Sequence, residues 1–253
     1  MDRQLVKIYG YGWVGKAMKV LFPDAIIHDR STNDPSEPVA DVAFICVPTP
    51  LKDGKLDTSI VEEVVMQAQE PLIVIRSTVM PGTCDKLSKL GKHIVFQPEY
   101  LGETVNHPMS DQKARPFIII GGEPNDRRQV VELYQETYNA NVTIRQVTNY
   151  EAEIIKITEN RAIAFKVAQC QELYDVCEAA GVDYYTIRDA VYSDDPRFNL
   201  WWTFVYPDKR GFSSKCIPKD VYGWSSWAES MGYDAELTKK LLEVNERYLC
   251  SRS

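Results

Sequence analysis

Apolar positions along the chain follow two different rules, and the change between them falls near residue 148. Residues 5–9, 25–28, 42–47, 72–75, 93–96, 117–120 and 141–144 are short, nearly continuous runs rich in Val, Ile, Leu and Phe. Runs of that length predict strands buried on both faces of a mostly parallel sheet. Between them, 58–69 and 125–138 carry helical spacing, with Asp57 or Thr58 expected to cap the first and Asn125 or Asp126 the second. This is a doubly wound α/β pattern. From 149 to 180 there is no Gly or Pro, and Ile154, Ile155, Ile157, Ala162, Phe165, Ala168, Leu173 and Val176 recur at helical intervals up to a terminating Gly181. One helix of that length, roughly 45 Å at about 1.5 Å per residue, predicts a second, all-α body built upon it. More helix is expected at 183–192 and 235–249. The expected domains are therefore 1–148 and 149–253. An apolar side on so long a helix needs cover, which predicts a homodimer.

Bulk properties narrow the function classes. A hydrophobic content of 44% with 26% charged residues is that of an ordinary globular protein. No apolar run reaches membrane-spanning length, and the first residues lead straight into a strand, not a secretory signal. A net charge of -7 argues against a general nucleic-acid binder. The six cysteines form no C-x-x-C pair and no zinc-like set with the three histidines, so no metal is expected. Reduced thiols and a cytoplasmic location are the simpler reading. Cys170 and Cys177, seven apart, are expected to share a buried helix face.

The candidate chemistry begins after the first strand. Gly10-Tyr11-Gly12-Trp13-Val14-Gly15 places three glycines between a strand and a helix. In that context the first makes the turn, the second admits a pyrophosphate, and the third lets helix pack on strand. Asp29 ends the next strand and is placed for the ribose hydroxyls, which favours NAD; Arg30 beside it leaves the 2′-phosphorylated cofactor open. The first half thus reads as a Rossmann-like dinucleotide domain.

Near the end of the chain, Gly211-Phe212-Ser213-Ser214-Lys215-Cys216-Ile217-Pro218-Lys219-Asp220 sets one cysteine among two lysines and an aspartate. A thiol among cations is a candidate nucleophile. Lys156 and Asn160 are four apart and share one face of the long helix. Taken singly, each has an ordinary alternative. Lys156 and Asn160 suit a solvated helix face, Asp220 a pair with Lys219, and Glu99 and Glu103 an exposed loop.

Six blocks in order resemble the UDP-glucose/GDP-mannose (nucleotide-sugar) 6-dehydrogenase family. They are the glycine turn, Val47-Pro48-Thr49-Pro50, Arg76-Ser77-Thr78-Val79, Pro98-Glu99-Tyr100-Leu101-Gly102-Glu103, Glu151-Ala152-Glu153 with Lys156 and Asn160, and the Cys216 segment. The resemblance implies oxidation of a sugar primary alcohol to a carboxylate by two NAD, UDP-glucose being the expected substrate. It implies Cys216 as the trap for the intermediate aldehyde, Lys156 and Asn160 as oxyanion donors, Thr78 and Asp220 as holders of a water, and Glu99 as an aid to hydrolysis. It also implies cofactor contacts from Gly10, Tyr11, Gly12, Trp13, Val14, Gly15, Asp29, Arg30, Val47, Pro48, Thr49, Thr78 and Glu103. Substrate contacts are implied for Glu99, Tyr100, Leu101, Lys156, Asn160 and Gly211.

The chain departs from that family in three respects. It stops about where a third domain would begin, the usual glycines and serine are replaced by Ser213, Ser214 and Lys215, and Arg76 stands for a usual lysine. Lys209 and Arg210, with Lys215 and Lys219, are expected to supply part of the missing cationic contribution to a diphosphate. Several of the aromatics Phe198, Trp201, Trp202, Phe204 and Tyr206 are expected to pack the helical body or a subunit interface, stacking on a uracil or sugar being the alternative. Two alternatives stay open: a single-step 3-hydroxyacid-type dehydrogenase, and a silent NAD-binding scaffold.

Overall fold

Strand β1 (Val6–Tyr9) is buried along its whole length, and so are β3 (Val42–Ile45), β6 (Leu72–Ile75) and β7 (Ile94–Phe96). With β2 (Ile26–His28), β8 (Phe117–Gly121) and β9 (Thr143–Val147) they form one seven-stranded sheet in the order β2-β1-β3-β6-β7-β8-β9. All neighbours run parallel except β7 and β8. The computed structural model describes residues 4–29, 37–102, 113, 116–135, 137–138 and 141–250. They fall into two compact units, residues 1–52 with 56–156, and residues 53–55 with 157–253.

The first unit has the doubly wound, Rossmann-like architecture. Alternate side chains of each strand enter opposite cores, as a pleat with period two requires. Val6, Ile8, Phe44 and Val74 pack with Met18 and Leu21 of α1 (Trp13–Leu21) and with Val130 and Tyr134 of α4 (Pro124–Tyr134). Tyr9, Ile45, Ile73 and Phe96 pack with Val61 and Val65 of α2 (Ser59–Gln67), Leu87 of α3 (Thr83–Ser88) and Ala152 of α5 (Asn149–Ala180). Two-residue strands β4 (Leu51–Lys52) and β5 (Lys55–Leu56) flank a turn with Asp53 and Gly54 at positive φ.

The expected caps fared differently. Asp57 Oδ1 accepts from Ser59 N–H at 3.0 Å at the start of α2. Helix α4 starts one residue earlier than expected, with a proline at its first position and Glu123 at the N-cap, and neither Asn125 nor Asp126 caps it. Asp126 instead turns inward and meets His93 Nδ1 at 3.1 Å.

In the second unit α5 continues to Ala180 and ends at Gly181 (φ 67), where Val182 N–H reaches back to the Cys177 carbonyl at 3.0 Å. Asp183 caps α6 (Tyr184–Tyr192) by accepting from Thr186 N–H at 2.7 Å. Cys170 and Cys177 are buried together with Tyr184, Tyr192 and Val205. A second cluster, Ala164, Phe212, Val221, Leu241 and Leu242, joins α5 to α7 (Ile217–Ser230) and α8 (Glu236–Cys250). Among the expected packing aromatics, Phe198, Trp201, Phe204 and Tyr206 are all exposed, and Val205 and Thr203 between them point inward instead. That stretch is not helical, so the inward face falls to the residues in between.

Candidate functional site

The glycine turn is fixed by close backbone contacts. Gly10 stands at φ 90, and its N–H donates to the His28 carbonyl at 2.9 Å. A Cβ there would meet the Cys46 carbonyl oxygen at 2.7 Å, and one on Gly15 would meet the Gly10 carbonyl oxygen at 2.0 Å. Around a Cβ on Gly12 nothing lies within 4 Å. Gly12 is also the N-cap of α1, where no side chain caps the helix. Open space beside uncapped helix N–H groups fits a dinucleotide pyrophosphate. Asp29 Oδ2 accepts from Tyr11 N–H at 2.9 Å, so the acid at the end of β2 also holds the turn. Tyr11 and Trp13 are exposed, while Val14 packs on the core.

The other expected cofactor residues follow neighbouring strands. Val47, Pro48 and Thr49 succeed β3, and Ser77 and Thr78 succeed β6; Ser77 Oγ donates to the Val47 carbonyl at 2.7 Å, tying these strand ends together. Strands β2 and β3 flank β1, which makes the carboxyl ends of β1 and β3 the switch point where such sheets bind ligands. Arg30 and Glu103 lie outside the described residues.

Glu99 is buried, which removes the exposed-loop alternative. The Arg76 guanidinium, 1% exposed, donates to Glu99 Oε2 and to Gln97 Oε1. Glu99 Oε1 accepts from the N–H groups of Tyr100 (2.7 Å) and Leu101 (2.5 Å). A planar fork can bridge two acceptors in fixed geometry where a lysine is a point charge, so Arg76 holds Glu99 as an oriented carboxylate. Lys156, also buried, places Nζ 4.8 Å from the Tyr100 ring centroid. One turn earlier, Glu153 accepts from Gly82 N–H (2.6 Å) and Cys84 N–H (2.8 Å). Burial pushes its carboxyl up to about 7, against the lowering effect of those hydrogen bonds.

In the second unit Asp220 is fully buried in the first turn of α7. It accepts from Asn160 Nδ2 and, at 2.8 Å, from Lys219 Nζ. Asn160 is 7% exposed, so the solvated-face alternative fails for it as it does for Lys156. Cys216 is the N-cap of α7, with its carbonyl accepting from Asp220 N–H at 3.1 Å. Ser214 Oγ accepts from Ile217 N–H at 3.2 Å. Cys216 and Cys250 are exposed, whereas Cys46, Cys84, Cys170 and Cys177 are buried. Burial pushes the Cys46 thiol up to about 12, despite the counteracting Arg76 charge, and raises Cys84 well above its usual value. Those two cannot supply a thiolate at neutral pH.

Arg210 does not stand out as a cation for a diphosphate. Its guanidinium bonds Gln171 and, at 2.7 Å, Asp175 Oδ1, between the rings of Tyr174 and Tyr248. Lys209 is exposed, and Gly211 sits at φ 72 against Asn245. Asn245 is absent from the sequence expectations. Its signal is a polar residue on the face of α8 that also carries Leu241 and Leu242. Among the described residues no group of three or more His, Cys, Asp or Glu is placed to hold a metal ion. No described helix is long and apolar enough to cross a membrane.

Residues 28–139 match the NAD binding domain, and residues 150–247 the central domain, of one family. The chain belongs to the UDP-glucose/GDP-mannose dehydrogenase family. Similar relatives include the GDP-mannose 6-dehydrogenase of Pseudomonas syringae pv. tomato, 30% identical over 85% of this chain and 53% of the relative. The UDP-glucose 6-dehydrogenase TuaD of Bacillus subtilis is 29% identical over 82% of this chain and 47% of the relative. The chain spans about half the length of the curated relatives it matches. A UDP-glucose dehydrogenase from Pyrobaculum islandicum shares the fold, with a TM-score of 0.83 at 22% identity over 97% of this chain and 68% of that one. The family's central-domain match takes in Lys156, Asn160, Cys216, Asp220 and Asn245.

Proposed function

We propose that this chain is an NAD-dependent nucleotide-sugar 6-dehydrogenase acting through a cysteine-bound intermediate, with UDP-glucose the first substrate to test and GDP-mannose the second. The observation that carries the reading is Cys216, exposed at the head of α7, one turn before a buried Asp220 that is bonded to both Asn160 and Lys219. Two NAD molecules, bound in turn, would each accept one hydride per sugar. The chain's residues do the rest. A water held by Thr78 and Asp220 takes the hydroxyl proton in the first oxidation. The Cys216 thiolate then adds to the aldehyde carbon, forming a C–S bond while the carbonyl electron pair moves to oxygen. Lys156 and Asn160, one helical turn apart, donate to that oxygen. After the second oxidation the carbon is a thioester. Water attacks it, its two protons pass to solvent water, the C–S bond breaks, and the carboxylate leaves while the thiolate stays on Cys216. Glu99, bonded to Arg76, orients the attacking water.

The same reading takes residues 1–148 as the cofactor-binding body, residues 149–253 as the central body and dimer surface, and the cytoplasm as the setting, which six cysteines outside any disulfide support. The test is NADH absorbance with UDP-glucose, GDP-mannose and related sugar nucleotides. The expected result is two NADH per sugar, with the second lost in Cys216→Ala. One NADH per substrate in the unmodified protein indicates a single-step 3-hydroxyacid-type dehydrogenase. No NADH across the panel with NAD bound indicates a binding scaffold.

A further inference from the structure

The segment that carries Cys216 is held from one side by three consecutive residues, each in a different way. Arg210 stacks between Tyr174 of α5 and Tyr248 of α8, both ring centroids 5.0 Å from the guanidinium carbon, and bonds Gln171 and Asp175. Gly211 lies so close to α8 that a Cβ would meet Asn245 Oδ1 at 2.7 Å and Tyr248 Cβ at 3.2 Å. Phe212 buries its ring with Ala164, Val221 and Leu241, and its backbone is bracketed by one side chain. Its N–H donates to Asn245 Oδ1 at 2.8 Å, and its carbonyl accepts from Asn245 Nδ2 at 3.0 Å. Asn245 is itself 3% exposed.

Beyond Phe212 the next four residues, Ser213, Ser214, Lys215 and Cys216, are all exposed, and α7 begins at Ile217. The exposed span is therefore short and fixed at both ends, upstream by this anchor and downstream by α7. A side-chain amide suits the upstream end for a chemical reason. A hydrophobe at 245 would leave a buried N–H and a buried carbonyl unsatisfied, and a carboxylate would satisfy the N–H alone.

We propose that Asn245 is a positioning residue for the Cys216 thiol. By bracketing the Phe212 backbone it fixes where the exposed span starts, and so where the sulfur is presented to an electrophilic carbon. The inference rests on Cys216 being the reacting thiol, and its test separates the two ideas. Iodoacetamide alkylation of the full chain, mapped by peptide mass, compares Cys216 with Cys250, the other exposed thiol. Cys216 is expected to react faster in the unmodified protein. Asn245→Ala lowers the Cys216-to-Cys250 rate ratio about tenfold and Asn245→Asp about threefold, as loss of two and of one hydrogen bond would do. With a turned-over sugar nucleotide, the NADH count falls from two towards one as untrapped aldehyde escapes. Equal rates in the unmodified protein overturn the thiol reading. A ratio and a count unchanged in the variants, with only the melting temperature lowered, overturn the positioning role. Should Asn245→Ala not fold, the Asp variant decides. Rapid exchange of the Phe212 amide hydrogen in the unmodified protein also overturns the proposal.

Discussion

Two turns in this chain hold a glycine at positive φ against different walls. At Gly10 the nearest neighbours are backbone: the His28 carbonyl accepts its N–H, and the Cys46 carbonyl occupies the direction of a Cβ, with the Val47 side chain next at 3.2 Å. At Gly211 the neighbours are side chains of α8, with Asn245 filling the Cβ direction and bonding the next peptide. The backbone wall leaves almost no room for change at Gly10 and Gly15, with one distant side chain, Asp29, bonding the next peptide. A turn walled by side chains can be loosened from a residue 33 positions away.

The sharpest way to break the first half of that contrast is a pair of substitutions in one motif. In Gly15→Ala the new Cβ would stand 2.0 Å from a carbonyl oxygen that cannot rotate away. Stability is expected to fall by about 3 kcal/mol, the upper end of overpacking costs, with loss of NAD binding. In Gly12→Ala nothing is met within 4 Å, and φ is an ordinary -76°. Stability there stays within about 0.5 kcal/mol. NAD affinity falls about tenfold, because the methyl takes space needed by the pyrophosphate. Denaturant unfolding and NADH fluorescence titration read both. A Gly12→Ala protein that binds NAD normally would show that the cradle is not where the cofactor lies.

Legibility in the sequence divides along the same line. Strands buried on both faces announce themselves as apolar runs, and a helix without Gly or Pro from 149 to 180 has the bounds its spacing predicts. The glycine turn is legible because its constraints come from the motif and the adjoining strands. Helix α7 escapes prediction because Pro218 and Gly223 interrupt its pattern, although a proline in the first turn costs a helix nothing. Lys156 with Asn160 is legible as an i, i+4 pair, and Cys216 as a thiol set among lysines and an aspartate. The fixed orientation of Glu99 is not, since it depends on Arg76 arriving from another strand end, 23 residues away. Asn245 leaves only the trace of a polar residue on an apolar stripe.

A third turn lies between the two extremes. Gly82 at φ 94 opens α3, and its N–H and that of Cys84 are both taken by the Glu153 carboxyl from α5. This wall titrates. Burial lifts Glu153 from 4.5 to about 7, so the folded chain holds a proton that the unfolded chain has released. The stability this contributes is fully present below about pH 4.5 and is lost as pH rises through about 7. Between pH 5 and pH 8 the expected loss is about 2–3 kcal/mol, at 1.36 kcal/mol per pKa unit. Glu153→Gln should flatten that slope whatever its absolute stability. Urea unfolding at the two pH values measures it, and an unchanged slope in the variant would place the titrating group elsewhere.

The smallest effect sharpens the side-chain-walled turn from its other end. Ser214 lies on the exposed span and accepts from Ile217 N–H at 3.2 Å, a cap-like contact at the start of α7 that a glycine could not make. Ser214→Gly is expected to lower stability by about 0.5 kcal/mol in denaturant unfolding, as loss of an exposed cap does. With residues 210–212 still clamped, Cys216 alkylation should change less than about twofold, well below the change expected on removing the two Asn245 hydrogen bonds. If Ser214→Gly instead slows Cys216 more than Asn245→Ala does, the span is governed by the helix it leads into and not by the anchor behind it. The distant amide would then be packing for α8, and the two positive-φ turns would differ only in the chemistry of their walls.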